Sequence, residues 1–389
     1  MPKSKISQIQ DFAEFKQALK KRSLAETSPQ ISSTVTDIIK SVKIDGDKAI
    51  EGYTKKFDNF VLTQDNYKFT KLEIKAAYKE LPENLISALK TAYERISSYH
   101  KKQLPSDHSY LDSGNNQLGW KWYPLESVGL YIPGGLATYP SSVMMTATIA
   151  KIAGVKKVII TTPTPNNTYN PALLVACDLC GITDIYRIGG AQAIAAMAYG
   201  TETIPAICKI FGPGNSYVTE AKKQLFGEVG IDMIAGPSEI LILADNKTNP
   251  KWVAADLLSQ AEHDKMAQSI LICDDYAYAE GVETELQELI KLSPRQEIAS
   301  ASYTDYGQIF VVDELKSLGV MIANDIAPEH IEILTEDPES YLDLITNAGA
   351  IFLGRYTPEA IGDYIAGPSH VLPTSNAAKF SSGLSVLDF

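Results

Sequence analysis

The strongest constraint on the fold is a series of short aliphatic runs that recur between residues 128 and 353. Most of these runs are rich in Val, Ile and Leu, end near Gly or Pro, and lead into a stretch with helical spacing. Such continuous apolarity is typical of strands buried on both faces, as in a parallel sheet covered by helices. The runs are residues 128–133, 156–161, 184–189, 208–211, 239–244, 269–273, 308–312, 331–334 and 350–353.

The order of these runs predicts an α/β protein with two Rossmann-like, doubly wound parallel sheets. The first sheet is expected to be centred on residues 128–244 and the second on residues 269–353. Upstream, apolar residues recur at three- and four-residue spacing, for example in 35–42 and 85–92, which predicts an α-helical N-terminal region. A chain of 389 residues has room for two domains of ordinary size.

Composition argues against two classes of partner. The chain has 47 acidic and 35 basic residues, a net charge of −12, and no Lys/Arg-rich stripe that could neutralise a phosphate backbone. Nucleic acid is therefore not expected as a partner. The most apolar run, residues 143–155, contains Lys151 and is shorter than the ~20 residues that a bilayer requires. Residues 1–22 lack the apolar core of a secretory signal, so neither a membrane span nor export is predicted.

Three of the five histidines lie close to carboxylates or amides in the sequence. Gln260 and His263 are three residues apart in a stretch with helical character, so they are expected on one face of a helix. An imidazole nitrogen and an amide oxygen suit a divalent ion such as Zn, Mn or Co. From this motif alone, a capped or structural helix is the more common interpretation.

Two later motifs carry acid–base candidates. Pro328 punctuates a turn and leaves Glu329 and His330 at the mouth of a strand, where open α/β sheets place catalytic groups. The two side chains could act as separate acid–base groups, although a solvated surface turn would look the same. Asp363 and His370 flank glycines that allow close approach of a ligand, and Asp363 could complete a set of nitrogen and oxygen ligands. The alternative is an ordinary Asp-containing turn.

Four glycine-rich segments lie at or near the C-terminal ends of predicted strands, where nucleotides and small substrates bind in open α/β sheets. None of them matches the G-x-G-x-x-G fingerprint, so no dinucleotide site follows from motif chemistry. Individually, each segment is a turn. The segments are residues 131–135, 188–192, 211–215 and 235–239.

Taken in order, the motifs resemble those of histidinol dehydrogenases over almost the whole chain. So many motifs in the same order are far more specific than any one of them. The matching segments are Gly-Leu-Tyr-Ile-Pro-Gly-Gly (129–135), Gly-Gly-Ala-Gln-Ala-Ile-Ala-Ala (189–196), Ile-Phe-Gly-Pro-Gly-Asn (210–215), Asp-Met-Ile-Ala-Gly-Pro-Ser-Glu (232–239), Ser-Gln-Ala-Glu-His (259–263), Ala-Pro-Glu-His (327–330), Gly-Asp-Tyr (362–364) and His-Val-Leu-Pro-Thr (370–374).

The resemblance implies the last step of histidine biosynthesis, oxidation of L-histidinol to L-histidine through bound L-histidinaldehyde with two NAD molecules reduced in succession. It also implies one Zn²⁺ per subunit, a homodimer and a cytoplasmic location. By position, Gln260, His263 and Asp363 match the family's zinc ligands, which also contact the substrate. Glu329 and His330 match its catalytic acid–base pair.

The remaining matches concern substrate and cofactor. Ser238, His330 and His370 match residues that contact the substrate. Tyr131, Gln192 and Asn215 match the residues assigned to NAD. In the mechanism that the resemblance implies, zinc chiefly orients the substrate and no cysteine takes part.

The resemblance also implies a domain arrangement. We expect an N-terminal helical arm over 1–22, and a first α/β domain formed by 23–127 with 240–375 that carries the metal and acid–base residues. A second Rossmann-like domain over 128–239 is expected on the NAD side, and 376–389 is expected to begin a C-terminal arm. Relatives continue past the position of Phe389 with a zinc-binding histidine and a substrate-binding glutamate for the partner subunit, so we expect a truncated form with weakened activity and dimerisation.

Three other hypotheses stay open. The chain could be a family member that oxidises another small polar alcohol, since Glu329 and His330 would serve any primary alcohol. It could be an inactive pseudoenzyme or fragment. A zinc hydrolase with Glu329 as base is the third hypothesis, but it leaves the glycine-rich segments unexplained.

Overall fold

A computed structural model of the chain describes residues 5–8, 12, 14–17, 28–134 and 140–389. The described residues form two compact α/β units. The five-stranded unit comprises residues from 27–234, 363–371 and 384–389, and the six-stranded unit comprises residues from 1–26, 235–362 and 372–383. None of the described helices is both long enough and apolar enough to cross a bilayer.

Strands and helices alternate along most of the chain. The strands are β1 (Ile6–Gln8), β2 (His108–Leu111), β3 (Gln117–Trp120), β4 (Ser127–Tyr131), β5 (Lys157–Thr161), β6 (Ile185–Tyr186), β7 (Lys209–Phe211), β8 (Gly230–Ile231), β9 (Glu239–Ala244), β10 (Gln268–Cys273), β11 (Gln308–Val311), β12 (His330–Leu334) and β13 (Ala350–Leu353). The α-helices described in full are α1 (Pro29–Asp45), α2 (Asp47–Asp58), α3 (Lys71–Glu80), α4 (Glu83–Lys101), α5 (Pro140–Ala153), α6 (Pro171–Leu179), α7 (Gly190–Tyr199), α8 (Ser216–Leu225), α9 (Pro250–Ala261), α10 (Tyr276–Leu292), α11 (Gln296–Tyr306), α12 (Val320–Ile326) and α13 (Glu359–Tyr364).

The five-stranded unit is built on a parallel sheet with the order β6-β5-β4-β7-β8. Successive side chains of a strand point to opposite faces, and each face has its own apolar cluster. One cluster joins Val128 and Leu130 to helices α3 to α6, and the other joins Ile159 to α1, α2, α7 and α8. The predicted parallel α/β architecture is confirmed in this unit.

Helices α1 to α4 belong to the five-stranded unit, whereas the expected arrangement grouped residues 23–127 with 240–375. The difference has a packing cause. The apolar stripe of α1, including Val35 and Ile38, is buried against Ile194 and its neighbours in α7. A helix with an apolar stripe joins the unit that covers that stripe, and local periodicity does not say which unit this is.

The six-stranded unit is also built on a fully parallel sheet, with the order β1-β11-β10-β9-β12-β13. Strand β9 lies between β10 and β12, so the expectation that the first sheet extends to residue 244 is wrong. All residues of β9 and β10 are buried, as their continuous apolarity predicts. The units divide between residues 234 and 235 rather than between 239 and 240.

The two ends of the chain differ from the expected arms. Within residues 1–22, Ile6–Gln8 form an edge strand that pairs with Ile309–Val311, whereas the described residues 12 and 14–17 are helical, as expected for this arm. Much of the rest of that arm lies outside the described residues. Within 376–389, the last residues pack into the five-stranded unit, where the Phe389 ring stacks on Phe211 at 4.1 Å between centroids.

Candidate active site

The acid–base candidates of the six-stranded unit lie where two neighbouring strands begin. His330 is the first residue of β12, and its register partner on β9 is Ile240, directly after Glu239. The expectation that Glu329 and His330 lie at a strand mouth is confirmed, but the mouth is the N-terminal one. Open α/β sheets bind ligands at the carboxyl ends of their strands, so this site departs from that rule.

One backbone unit holds both candidates in place. The N–H of Glu239 donates to Oε2 of Glu329 at 3.0 Å, and its carbonyl lies 3.0 Å from Nδ1 of His330. A carbonyl only accepts, so Nδ1 must carry the ring hydrogen, and the lone pair of the neutral imidazole is on Nε2. Both side chains are buried. The arrangement prepares His330 to take up a proton at Nε2 and keeps Glu329 as a neighbouring carboxylate.

A third carboxylate faces the other side of His330. Oε1 of Glu359, the first residue of α13, lies 3.8 Å from Nε2 of His330. Oε2 of Glu359 accepts a hydrogen bond from the Ser259 hydroxyl at 3.3 Å. Glu359 therefore links His330 to helix α9, the helix that also carries Gln260. The sequence motifs did not identify Glu359, because no local pattern relates it to β12.

The metal candidates of α9 differ in burial. Gln260 is 3% exposed, and its Oε1 atom has no hydrogen-bond donor among the described residues. A buried amide oxygen without a partner is costly unless a ligand or ion binds it, so Gln260 fits a metal site. The helix ends at Ala261, so His263 is not on a helix face as expected. His263 is exposed, and its N–H bonds to the Gln260 carbonyl at 3.1 Å in the following turn.

Asp363 and His370 are described with the five-stranded unit. Asp363 follows Glu359 by four residues in α13, so the two carboxylates share a helix face. Nδ1 of His370 bonds to the Asp363 carbonyl at 3.0 Å, and the Ser142 hydroxyl bonds to Nε2 at 3.1 Å. The Asp363 carbonyl requires a hydrogen on Nδ1, and the two contacts hold the imidazole in a defined orientation.

Ser238 precedes Glu239 directly and is half-buried. Its carbonyl accepts from the Gln268 N–H at 3.0 Å, which anchors the start of β9 to β10. The loop before it is tied to a second segment, since the Gly236 N–H donates to the Thr374 hydroxyl at 2.5 Å and the Ser375 N–H donates to Oε1 of Glu239 at 3.2 Å. The backbone at Ser238 is therefore held from two sides.

Two further carboxyl groups interact in this unit, the half-buried Asp256 on α9 and the buried Glu332 on β12. Glu332 is fully buried, and its Oε1 accepts from the Glu359 N–H at 2.7 Å. The side chain of Asp256 is within hydrogen-bonding reach, and burial raises the pKa of Asp256 to about 6 and that of Glu332 well above its ordinary range. Two adjacent carboxyl groups out of water share a proton, so the pair is a carboxylic acid bonded to a carboxylate at neutral pH.

We expect Glu332→Gln to stabilise the protein at pH 8. Gln reproduces a protonated Glu, because its oxygen can accept from Glu359 and its amide can donate to Asp256. The folded-state pKa values lie above the unfolded ones, so wild-type stability falls as the pH rises from about 4 through about 6. The gain comes from Glu332, whose folded-state pKa lies well above its ordinary value, whereas the shift of Asp256 has a separate cause, desolvation, which the variant keeps. Denaturant unfolding at pH 4 and pH 8 measures the difference, which should vanish at pH 4.

The exposed Glu280 on α10 offers a matched control, since Glu280→Gln changes the net charge equally without a buried partner. That variant should have the wild-type pH dependence of stability. If Glu332→Gln were less stable than the wild type at pH 8, the shared proton would be ruled out. Two signals in the sequence point to this pair: a Glu inside the apolar run of β12, and an Asp four residues before Gln260.

The cofactor candidates lie in the five-stranded unit, at the carboxyl ends of its strands, whereas the acid–base candidates lie at the N-terminal end of β12. Tyr131 is the last residue of β4, Gln192 follows β6, and Asn215 follows β7, so all three are at carboxyl ends of strands as expected. Strands β4 and β7 are neighbours, and the order of strands in the sheet changes direction between them. In open α/β sheets, ligands usually bind in the crevice at this point. Gly135, which ends the first glycine-rich segment, lies outside the described residues.

The local chemistry of this edge fits a polar ligand. The Gly190 N–H donates to the Tyr131 hydroxyl at 3.1 Å, and burial raises the pKa of Tyr131 to about 12, so the phenol keeps a hydrogen to donate. Gln192 is 1% exposed, and no described group donates to its buried Oε1. Asn215 caps α8, where its Oδ1 accepts from the N–H groups of Tyr217 and Val218, both at 3.1 Å.

Comparisons with known proteins agree on one family. The family model for histidinol dehydrogenase matches residues 20–389. The histidinol dehydrogenases of Mesorhizobium japonicum and Rhodopseudomonas palustris are 50% and 51% identical over 364 residues, which are 94% of this chain and 84% of each relative. The crystal structure of histidinol dehydrogenase from Elizabethkingia anophelis superposes with a TM-score of 0.94 at 36% identity, covering all of this chain and 88% of that one. This chain therefore belongs to the histidinol dehydrogenase family, the enzymes that oxidise histidinol in histidine biosynthesis.

Proposed function

We propose that this chain oxidises L-histidinol to L-histidine in two successive hydride transfers, through L-histidinaldehyde, and that Glu329 and His330 are its acid–base pair. The observation that carries the proposal is a pair of hydrogen bonds made by the Glu239 backbone. Its N–H binds the Glu329 carboxylate, and its carbonyl orients His330. A pair of titratable groups held by one rigid backbone unit is typical of acid–base catalysis.

In the first oxidation, His330 is the base. Its Nε2 takes the proton of the substrate hydroxyl as the hydride leaves the same carbon, which gives the aldehyde. Bound NAD supplies the hydride acceptor in both oxidations. The carbonyl of Glu239 then stabilises the imidazolium through its bond to Nδ1, and the Glu359 carboxylate opposite Nε2 favours the charged ring.

Glu329 activates the water that adds to the aldehyde before the second oxidation. The aldehyde must add water before it can lose another hydride, and a carboxylate removes the proton of the attacking water. One oxygen of Glu329 is occupied by the Glu239 N–H, which aims the carboxyl group. His330 first releases to solvent the proton that it took from the alcohol, and then takes the proton of a diol hydroxyl as the second hydride leaves, which gives the carboxylic acid.

The cofactor residues in this proposal are Tyr131, Gln192 and Asn215. One observation supports a bound dinucleotide at this edge: the buried Oε1 of Gln192, to which no described group donates a hydrogen bond. A ligand group that donates to Gln192 would remove the cost of its buried oxygen. Tyr131 can donate from its hydroxyl.

The metal residues in this proposal are Gln260, His263 and Asp363, with Ser238 and His370 as further substrate contacts. The donor set of one nitrogen and two oxygens, and the unpartnered buried oxygen of Gln260, fit a single Zn²⁺ per subunit. When bound, zinc orients the imidazole and amine of the substrate. The Ser142 hydroxyl orients the imidazole of His370.

We expect Gln260→Ala to weaken zinc affinity by at least about tenfold, because it removes the buried donor of the site. Zinc content after dialysis against a chelator series measures the affinity, and turnover should fall in parallel. Gln308→Ala on β11 is the control, because Gln308 bonds to Ser7 and the Lys5 carbonyl instead. Equal zinc content in the two variants would remove Gln260 from the site.

The reaction itself is tested by the amount of NADH formed per L-histidinol with limiting substrate. Two NADH per substrate support the four-electron reaction. One NADH with accumulated aldehyde would contradict the role of Glu329, and turnover of another amino alcohol but not L-histidinol would contradict the substrate. No NADH from any alcohol with zinc and NAD bound would favour the inactive form, and zinc-dependent hydrolysis would favour the hydrolase.

The proposal extends to a homodimer in the cytoplasm. In its support, the hairpin of β2 and β3 and the segment that follows it expose apolar and aromatic side chains that a monomer rarely leaves in water. Light scattering of the purified chain distinguishes a 42.5 kDa monomer from a particle of twice that mass. A monomer at micromolar concentration would contradict this part. The exposed side chains are Tyr110, Leu111, Leu118, Trp120, Trp122 and Tyr123.

A further inference from the structure

The five-stranded unit contains a buried ion pair that the proposed chemistry does not use. Lys222 on α8 and Asp232 after β8 form a contact in which only 3% and 2% of their side chains are exposed. Removing two charges from water is unfavourable unless further hydrogen bonds satisfy them. A buried pair of this kind is therefore retained for a reason other than the attraction between its charges.

The additional hydrogen bonds of the pair converge on one residue, Gly212. The Gly212 N–H donates to Oδ2 of Asp232 at 2.7 Å, and Nζ of Lys222 donates to the Gly212 carbonyl at 3.0 Å. Oδ1 of Asp232 also accepts from the Met233 N–H at 2.7 Å. The N–H of Gly212 is thus bound by the negative Asp232, and its carbonyl is bound by the positive Lys222. An apolar pair in place of Lys222 and Asp232 would leave these two buried backbone groups without hydrogen-bond partners, which is unfavourable.

Gly212 has a backbone conformation that needs this support. Its φ is +111°, a region that residues with a side chain rarely adopt, and its backbone lies against the carbonyl of Tyr131. The loop at residues 211–215 therefore passes close to the end of β4 with no room for displacement. The ion pair holds it from the other side.

This loop connects β7 to Asn215, the N-cap of α8. Lys222 lies two turns further along α8, so its bond to Gly212 closes a ring formed by the loop, the cap and the helix. Because Gly212 also lies against the Tyr131 carbonyl, the ring ties Asn215 to the end of β4, beside the crevice between β4 and β7. Both residues are cofactor candidates, so the geometry of the ring sets the geometry of that edge.

From these contacts we infer that Lys222 and Asp232 are positioning residues for the dinucleotide site, acting through Gly212 without touching the ligand. The inference rests on the proposed function, because it takes the crevice between β4 and β7 to be the NAD site. The ligand class is an NAD-type dinucleotide, and the pair sets its affinity rather than the chemistry of the acid–base residues.

The test compares NADH binding with stability in two variants of the same helix. Lys222→Met keeps the length of the side chain and removes its charge and donor. Glu220→Met is the matched control, because Glu220 is also buried on α8 but bonds to Ser32 at 2.7 Å and Gln224 at 2.8 Å on the side of α1. NADH affinity is measured by fluorescence titration without substrate, at a temperature at which both variants are folded, and zinc content is measured in parallel.

We expect Lys222→Met to raise the Kd for NADH at least tenfold and to leave zinc content unchanged, while Glu220→Met lowers the melting temperature without changing the Kd. Equal Kd values for the wild type and Lys222→Met would overturn the inference, because a merely structural pair affects stability alone. If Lys222→Met does not fold, Lys222→Arg is tested in its place; its larger head group must displace Gly212, so a Kd equal to the wild type would also overturn the inference. A wild-type protein that binds no NADH would overturn the proposed function together with this inference, which distinguishes the two failures.

Discussion

Replacing His330 with Asn is expected to lower kcat for L-histidinol oxidation by about 10²- to 10⁴-fold, the range for loss of a general base. Asn places an N–H near the position of Nδ1, so the bond to the Glu239 carbonyl can persist. It has no equivalent of Nε2, the atom assigned to the substrate proton. The variant should therefore fold, bind zinc and bind NADH as the wild type does. Initial rates of NADH formation at saturating substrate and NAD measure the loss.

The control for this change is His100→Asn, because His100 is a second fully buried histidine. His100 lies on α4 in the five-stranded unit and bonds through Nδ1 to Gln103 at 2.6 Å. Its replacement should reduce stability and leave kcat unchanged. If His330→Asn had no larger effect on kcat than His100→Asn, His330 could not be the base, and the acid–base assignment would need a different residue.

Introducing a side chain at Gly212 is expected to weaken NADH binding, so that the Kd for NADH rises at least about 100-fold. In Gly212→Ala the new Cβ would lie 2.1 Å from the Tyr131 carbonyl oxygen, and the φ of +111° adds strain. The loop must move, which breaks the two hydrogen bonds that Lys222 and Asp232 make to it. Strain of about 1–3 kcal/mol and a similar loss from unsatisfied buried groups account for the expected change, since each 1.4 kcal/mol is tenfold.

Gly227 provides the control that separates strain from steric overlap. Its φ is +109°, nearly that of Gly212, but no described atom lies within 4 Å of a Cβ built there. Gly227→Ala should therefore carry the same backbone strain and retain NADH affinity. Equal NADH affinity in the two alanine variants would show that the close approach to Tyr131 does not shape the cofactor site.

The two sites differ in how much of them the sequence could predict. The cofactor candidates follow strands of one sheet, so their meeting at the carboxyl edge follows from parallel pairing alone. The acid–base site combines the start of β12, the start of β9 and the first residue of α13. These segments are 90 and 29 residues apart in the chain, and no local pattern encodes their contact. Glu239 and Glu359 were therefore missed, although both contact the predicted pair.

By itself, the sequence determined the class of fold and the candidate side chains. Continuous aliphatic runs followed by helical stretches are compatible with buried parallel strands, and the ordered motifs point to one family. Only the tertiary structure decided which sheet contains β9 and which unit covers the apolar stripe of α1. It alone also showed that the acid–base residues lie at the N-terminal end of their strand. It also decided the partners of Glu332 and Lys222. The physical reason is that periodicity and residue type are local properties, which say that a face or a charge must be buried, whereas the group that buries it is chosen by long-range packing.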